Sequence, residues 1–316
     1  MSWFDMRVRA LREEARDILG VELAVADGAP LPFDWLPGAH VDLRLPDGLV
    51  RQYSLVSRPA DGHLYLAVKR EPESRGGSRW LHEALRLGQI LRVGAPRNLF
   101  ALDDDGSDAV MLIAGGIGIT PLLAMYRSCR ETGRPVRLHC FARERSGLAF
   151  HRELEGQADV FLHVGLDRAA LQDRLTELLS EHATKAGLYC CGPAGFMQQV
   201  RERALAEGWP ESALHQEHFQ AAKEPTPAGS FELVLSASGR QVQVGAGESV
   251  VAAAARAGVD IPLSCGMGIC GCCLTRVLDG IPSHCDDYLD ADRKASGNWI
   301  LPCVSGCSGA RLVLDC

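Results

Sequence analysis

The spacing of apolar and polar positions changes character twice along this chain. Residues 1–102 carry short alternating runs broken by Gly and Pro: AHVDLRL (39–45), VRQYSLV (50–56), LYLAVKR (64–70) and ILRVGAP (90–96). Period-two alternation with frequent turn residues predicts an antiparallel barrel or sandwich. Residues 103–222 open on a polar break, DDDGSD (103–108), and then alternate buried strands with helical stretches. AVMLIA (109–114), VRLHCFA (136–142), VFLHVG (160–165) and GLYCCG (187–192) read as strands, with helices near 120–130 and from 194 to 207. Strand–helix alternation of this kind predicts a parallel α/β sheet. Residues 223–229, inside the Pro-containing stretch AAKEPTPAGS (221–230), read as a linker. Residues 230–316 begin with FELVL and RQVQVG, a predicted hairpin. A short helix follows at 250–257, with Ser249 as N-cap and Gly258 just past its end.

Composition narrows the partners. The 316 residues carry a net charge of −7 with no compensating basic stripe, which argues against nucleic acid. No apolar run reaches the roughly 18–20 residues of a membrane span. The start MSWFDMRVRA has no apolar core of a secretory signal, so the expected setting is the cytoplasm. There are twelve cysteines, and eight of them (Cys265, Cys270, Cys272, Cys273, Cys285, Cys303, Cys307 and Cys316) fall in the last 52 residues. In a cytoplasmic chain such a concentration points to metal or redox chemistry rather than disulfides.

Cys265, Cys270 and Cys273 are spaced C-x4-C-x2-C, and Cys303 follows after 29 intervening residues. This is the plant-type [2Fe–2S] spacing. The loop SCGMGICGCC (264–273) is rich in small residues, so four thiolates can converge on two irons while Gly266, Gly268 and Gly271 free the backbone to wrap them. A structural zinc site is the competing reading, but it would more often show two C-x2-C pairs, and only one occurs before Cys303. Cys272 lies off the ligand spacing. Cys285, Cys307 and Cys316 read as small packing residues.

Two further loops carry chemistry. GGIGITP (115–121) directly follows AVMLIA, with Thr120 placed to cap a helix and Pro121 to occupy its first position. Its Gly115, Gly116 and Gly118 would bring backbone amides up to a phosphate. CGPAGFM (191–197), with Cys191, Gly192 and Pro193, closes the fourth strand and opens another helix. Both loops fall at the carboxyl ends of parallel strands, where open α/β sheets bind ligands, so a nicotinamide dinucleotide site is the better joint reading. Cys191 either faces the nicotinamide or is a buried core thiol. In the first segment, Arg51, Tyr53 and Ser54 form R-x-Y-S. Arg51 suits a phosphate, Tyr53 an aromatic ring and Ser54 a ring edge, although the pattern alone is a common strand sequence.

Taken in order, PGAH (37–40), RQYS (51–54), AVKR (67–70), RGGS (75–78), GGIGITP, YCCGP (189–193) and the C-x4-C-x2-C-x29-C array resemble the phthalate dioxygenase reductase family, which includes vanillate O-demethylase reductases. The resemblance covers essentially the whole chain. It implies a flavin-binding antiparallel β-barrel, a doubly wound NAD-binding domain and a C-terminal β-grasp-like ferredoxin domain. It implies FMN held by Arg51, Tyr53 and Ser54, lined by Ala67, Val68 and Lys69, with its phosphate on Gly76, Gly77 and Ser78. Thr120 would face the flavin, and Phe219 in QEHF (216–219) would cover the ring unless it is a core residue. Asp167 would take a ribose hydroxyl unless it is a solvated loop residue. NADH is the implied donor, and Arg143 or Arg145 in FARERSG (141–147) leaves NADPH open. Cys272 departs from the family, which usually has Thr or another small residue there. His40 reads as structural.

The implied activity is that of an NADH-dependent iron–sulfur flavoprotein reductase, a monomer that passes electrons to the Rieske centre of a terminal oxygenase. That direction is downhill, since Rieske centres lie at about −150 to +300 mV against about −400 mV for plant-type ferredoxins. A cytochrome P450, a separate ferredoxin or a redox-sensing role with little turnover are the alternatives. The run HCDDYLDAD (284–292), with Asp286, Asp287, Asp290 and Asp292, reads either as an acidic docking surface for the partner or as a solvated loop.

Overall fold

A computed structural model describes residues 2–74, 76–102, 108–181, 186–219, 229–263, 265–286 and 288–316. Arg75, Ser264, Asp287 and linker residues 223–228 lie outside them. The chain divides into two compact units, Met1–His218 and Phe219–Cys316.

The first unit holds two sheets. One has six strands in the order β4-β3-β6-β1-β2-β5, built from β1 (Trp3–Ala15), β2 (Ile18–Val25), β3 (His40–Arg44), β4 (Val50–Ser54), β5 (Leu64–Lys69) and β6 (Ile90–Gly94), with α1 (Gly77–Glu83) after β5. Every pairing in it is antiparallel. The bridge Leu55–Leu66 joins the segment after β4 to β5 and so closes the sheet into a barrel. Alternate residues point inward: Leu64, Leu66 and Val68 of β5 join Val21, Leu23, Val41, Leu43, Leu91 and Val93 in the barrel core. Removing this apolar surface from water is the main stabilising term.

The other sheet has five strands in the order β11-β10-β7-β8-β9. These are β7 (Ala109–Gly115), β8 (Val136–Ala142), β9 (Val160–Val164), β10 (Ala186–Cys191) and β11 (Leu214–Glu217). All four pairings are parallel. α2 (Ile119–Thr132) packs on β7, β8 and β10. On the opposite face Met111, Ile113 and Leu188 pack with Leu175, Leu178, Met197 and Val200. Those residues belong to α4 (Arg168–Ser180) and α5 (Ala194–Ala206), which follow the short α3 (His151–Leu154). The sheet is therefore covered on both faces, as parallel sheets require. Strand order reverses between β7 and β10, which creates a topological switch point there.

α2 begins two residues earlier than the sequence suggests. A 3-10 turn over Gly116–Gly118 leads directly into it, and its N-cap position is Gly118. Thr120 is therefore not the cap. It is buried inside the first turn, and its hydroxyl donates to the Ile117 carbonyl at 3.0 Å. Pro121 accordingly is the third residue of the helix, still in its first turn, rather than at its start.

The second unit is a mixed sheet in the order β13-β12-β18-β14-β16, with a separate β15–β17 pair. Its elements are β12 (Phe231–Leu235), β13 (Arg240–Val244), α6 (Val250–Arg256), β14 (Thr275–Asp279), β15 (Pro282–Ser283), α7 (Ala291–Ser296), β16 (Trp299–Ile300), β17 (Gly306–Cys307) and β18 (Arg311–Leu314). β12 and β13 form the expected hairpin, and the terminal strand β18 returns parallel to β12. Ser249 caps α6 by accepting from the Ala252 amide at 3.1 Å. Ala253, Ala254, Leu233, Leu312 and Ile300 form the core beneath.

Candidate redox site

The cysteine loop lies between α6 and β14, at one end of the second unit's core. Gly266, Gly268 and Gly271 all have left-handed backbone, with φ of 64°, 73° and 68°. A side chain at Gly268 would sit 2.5 Å from Val304 Cγ2, so the loop can close here only without a Cβ. The four spaced thiols fall into two pairs. Cys265 and Cys270 are hydrogen-bonded to each other, and Cys273 Sγ donates to Cys303 Sγ at 3.2 Å. Backbone amides approach the sulfurs, including Met267 N–H to Cys265 Sγ at 3.3 Å. Among the described residues no three His, Cys, Asp or Glu side chains gather round a point as a single ion would require. Two pairs suit a two-iron cluster, in which each iron takes two thiolates. Cys272 bonds to the Cys270 thiol from inside the loop, so it touches the ligand set without completing it.

Within the acidic run beyond this loop, Asp286 is not available as a docking group. Asp286 is buried, and its carboxylate accepts from the Leu289 amide at 2.9 Å and the Ser305 hydroxyl at 3.1 Å. Asp290 caps α7 by accepting from the Arg293 amide. Of the four aspartates only Asp292 is exposed without such a task among the described residues, and Asp287 lies outside them. Backbone demand for acceptors at a loop and a helix end overrides the charge pattern.

In the first unit the barrel brings several of the proposed flavin residues together. The stem of Arg51 lies against the glycine turn, since a Cβ on Gly77 would be 2.7 Å from Arg51 Cγ. Gly76, with φ 95°, makes that turn possible. Ser78 Oγ is held by Ser74 and accepts from the Glu71 amide. Burial raises the Tyr53 phenol well above its ordinary value. Lys69 is exposed and pairs with Glu71 at 3.1 Å, whereas the Val68 side chain points into the barrel core. Val68 can therefore meet a ligand only through its backbone.

The loops at residues 115–118 and 191–193 touch each other at the switch point. A Cβ on Gly192 would lie 2.9 Å from Gly115 Cα, and one on Gly115 would lie 2.8 Å from Phe196 Cδ1. A Cβ on Gly118 would collide with the Cys191 carbonyl. Gly116, with φ 55°, has open space around it. Pro193 precedes the first turn of α5. Asp167 caps α4 by accepting from the Ala170 amide at 2.9 Å. Arg145 is tied to Glu155 at 2.5 Å, and Arg143 is exposed at the end of β8. Phe219 is half-buried at the start of the second unit.

Sequence reasoning missed Glu217, which lies two residues before Phe219. Cys191 at the end of β10 is in register with Glu217 at the end of β11. Ser54 of β4 donates to Glu217 Oε2 at 3.5 Å. Burial pushes the Glu217 carboxyl up to about 8, and burial together with Glu217 pushes the Cys191 thiol up. A hydroxyl from the barrel, a protonated carboxyl and a neutral thiol thus meet at the carboxyl edge of the parallel sheet. The QEHF run was the one available signal, and only its Phe drew notice. A cavity of about 880 Å3 in this unit contains none of these residues. It is a cleft between charged pairs such as Arg127–Glu153 and Arg58–Asp61.

Comparison with known proteins agrees with this geometry. The domain family described as a 2Fe-2S iron-sulfur cluster binding domain matches residues 234–307. Vanillate O-demethylase oxidoreductase of Pseudomonas sp. (strain HR199 / DSM 7063) is 41% identical over 314 residues, covering 98% of each chain. The solved phthalate dioxygenase reductase, described as a modular structure for electron transfer from pyridine nucleotides to [2Fe-2S], superposes with a TM-score of 0.78 at 34% identity, covering 100% of this chain and 98% of that one. An intact type IV self-sufficient cytochrome P450 monooxygenase gives a TM-score of 0.83 at 36% identity, covering 99% of this chain but only 41% of that one. With two sheets built for flavin and dinucleotide, a cluster loop and relatives matched end to end, the chain belongs to the phthalate dioxygenase reductase and vanillate O-demethylase oxidoreductase family.

Proposed function

We propose that this protein is the NADH-dependent reductase component of a Rieske-type aromatic-ring dioxygenase or demethylating monooxygenase. The observation that carries this reading is the Ser54–Glu217–Cys191 contact, which joins the R-x-Y-S strand of the barrel to the switch point of the dinucleotide fold. Arg51 and the Gly76–Gly77–Ser78 turn would hold the FMN phosphate. Tyr53, Ser54, Ala67, Val68 backbone and Lys69 would line the ring, with Thr120 beside it and Phe219 over it. Gly115, Gly116, Gly118, Cys191, Gly192 and Pro193 would receive the nicotinamide half of NADH, and Asp167 its ribose. Cys265, Cys270, Cys273 and Cys303 would ligate the [2Fe–2S] cluster.

When bound, FMN accepts two electrons together and releases them singly to a one-electron cluster. The chain's own contribution is orientation and exclusion of water. If FMN and NADH meet at this edge, neutral Glu217 and Cys191 would keep negative charge away from them, while the buried Ser54 hydroxyl holds the Glu217 carboxyl in place. Hydride transfer of this kind needs no strong acid or base. We read the protein as a cytoplasmic monomer with domain limits at 1–102, 103–222 and 230–316.

The full-length similarity to a chain that carries its own P450 supports a second reading, in which the acceptor is a haem monooxygenase. The two separate by acceptor assay. NADH oxidation should couple to product formation with a purified vanillate-demethylating Rieske oxygenase at least tenfold faster than with a bacterial P450. The reverse order would overturn the Rieske assignment.

A further inference from the structure

The described residues between His284 and Lys294 pack against the cysteine loop, and they carry an ion pair whose acidic partner is buried. The Asp286 side chain is fully buried, while Lys294 is about one-third exposed. Lys294 Nζ lies 3.9 Å from Asp286 Oδ2 and donates to the Asp286 carbonyl at 2.5 Å. His284 Nδ1 is 3.4 Å from Oδ1. On its other side Asp286 abuts the cluster loop, since a Cβ on Gly268 would be 3.1 Å from Asp286 Cα. The Gly268 amide in turn bonds to the Cys303 sulfur. Ser305, which donates to the Asp286 carboxylate, lies two residues beyond Cys303. The pair therefore touches both segments that bring thiols to the site. The Asp286 carboxylate has a folding task, accepting from the Leu289 amide and the Ser305 hydroxyl, and its charge lies against the cluster loop as well.

We propose that Asp286 and Lys294 are positioning residues that set the reduction potential of the [2Fe–2S] cluster, with opposite signs. This rests on the cluster reading above. Reduction adds one electron and no compensating proton to the cluster, so it adds one negative charge. In a low-dielectric surrounding a neighbouring carboxylate opposes that charge and a neighbouring ammonium favours it. Asp286 is the more buried of the two, so its effect is the larger.

The test is a redox titration of the full chain, carrying FMN and reconstituted cluster, followed by visible absorbance and low-temperature EPR. Asp286→Asn keeps an acceptor for the Leu289 amide and removes the charge. It should raise the midpoint, so that at a fixed potential the reduced-to-oxidised ratio rises about tenfold, equivalent to about 59 mV for one electron. Lys294→Met should lower the ratio, by a smaller factor. Asp292→Asn, on the exposed side of the same helix, should leave it unchanged. Midpoints that move in the same direction, or stay in place while the cluster is retained, would overturn the proposal. If Asp286→Asn cannot hold a cluster, Lys294→Met decides by the sign of its shift. Absence of cluster bands in the parent protein after reconstitution would be a separate failure, that of the cluster assignment itself.

Discussion

Glu217 is the residue whose ionisation has the clearest consequence. Its carboxyl is held up to about 8 by burial, so it is neutral at pH 7 and becomes a carboxylate as pH rises through that value. If the flavin ring lies against Ser54 as proposed, a new buried carboxylate beside Cys191 and Ser54 would oppose the negative charge the flavin gains on reduction. Flavin reduction by NADH in rapid mixing should therefore slow as pH rises from 7 to 9. In Glu217→Gln the rate at pH 7 should stay within about threefold of the parent, and the alkaline slowing should vanish; an unchanged alkaline fall would remove Glu217 from this role. The contact of Cys273 with Cys303 needs the fold, but that Cys265 and Cys270 meet was legible in the sequence because they lie in one short loop. Glu217 was not, because its neighbours Ser54 and Cys191 are brought to it only by folding. Asp286 was misread for a related reason: a run of aspartates looks solvated until the loop that buries one of them is seen.

Among the elements, the buried parallel strands were readable as continuous apolar runs, and the two glycine loops were placed correctly at their carboxyl ends. β1 escaped notice because irregularities at Val8–Ala10 and Glu13–Ala15 break its alternation, and because the turn to β2 uses Asp17 in left-handed backbone in place of glycine. β8 and β9 carry a feature with a measurable signature. His139 stacks between Phe161 and His163, and its Nδ1 lies 3.1 Å from His163 Nε2. Burial lowers His139 from 6.5 to about 3 and His163 to about 4. The unfolded chain takes up these protons near pH 6.5 and the folded chain does not. Stability from the pair is thus complete above about 6.5 and is lost as pH falls from there toward 4 for His163 and 3 for His139. Melting temperature should drop over that window, and the drop should be shallower in the double variant His139→Phe, His163→Phe. Equal acid slopes would show that other groups govern the loss.

The whole molecule was legible in outline because three different periodicities follow one another along the chain. Its chemistry was legible because the cysteines crowd into the last of them. The barrel and the parallel sheet form one compact unit joined by the Ser54–Glu217 contact, and the cluster loop belongs to the other. This order describes a converter from two-electron to one-electron transfer. The most direct test is anaerobic addition of NADH to the full chain carrying FMN and reconstituted cluster, followed by visible absorbance and EPR. The account predicts that the flavin and cluster bands both bleach and that the EPR signal of a reduced [2Fe–2S] centre appears without any added mediator. Bleaching of the flavin alone, with the cluster left oxidised, would contradict it.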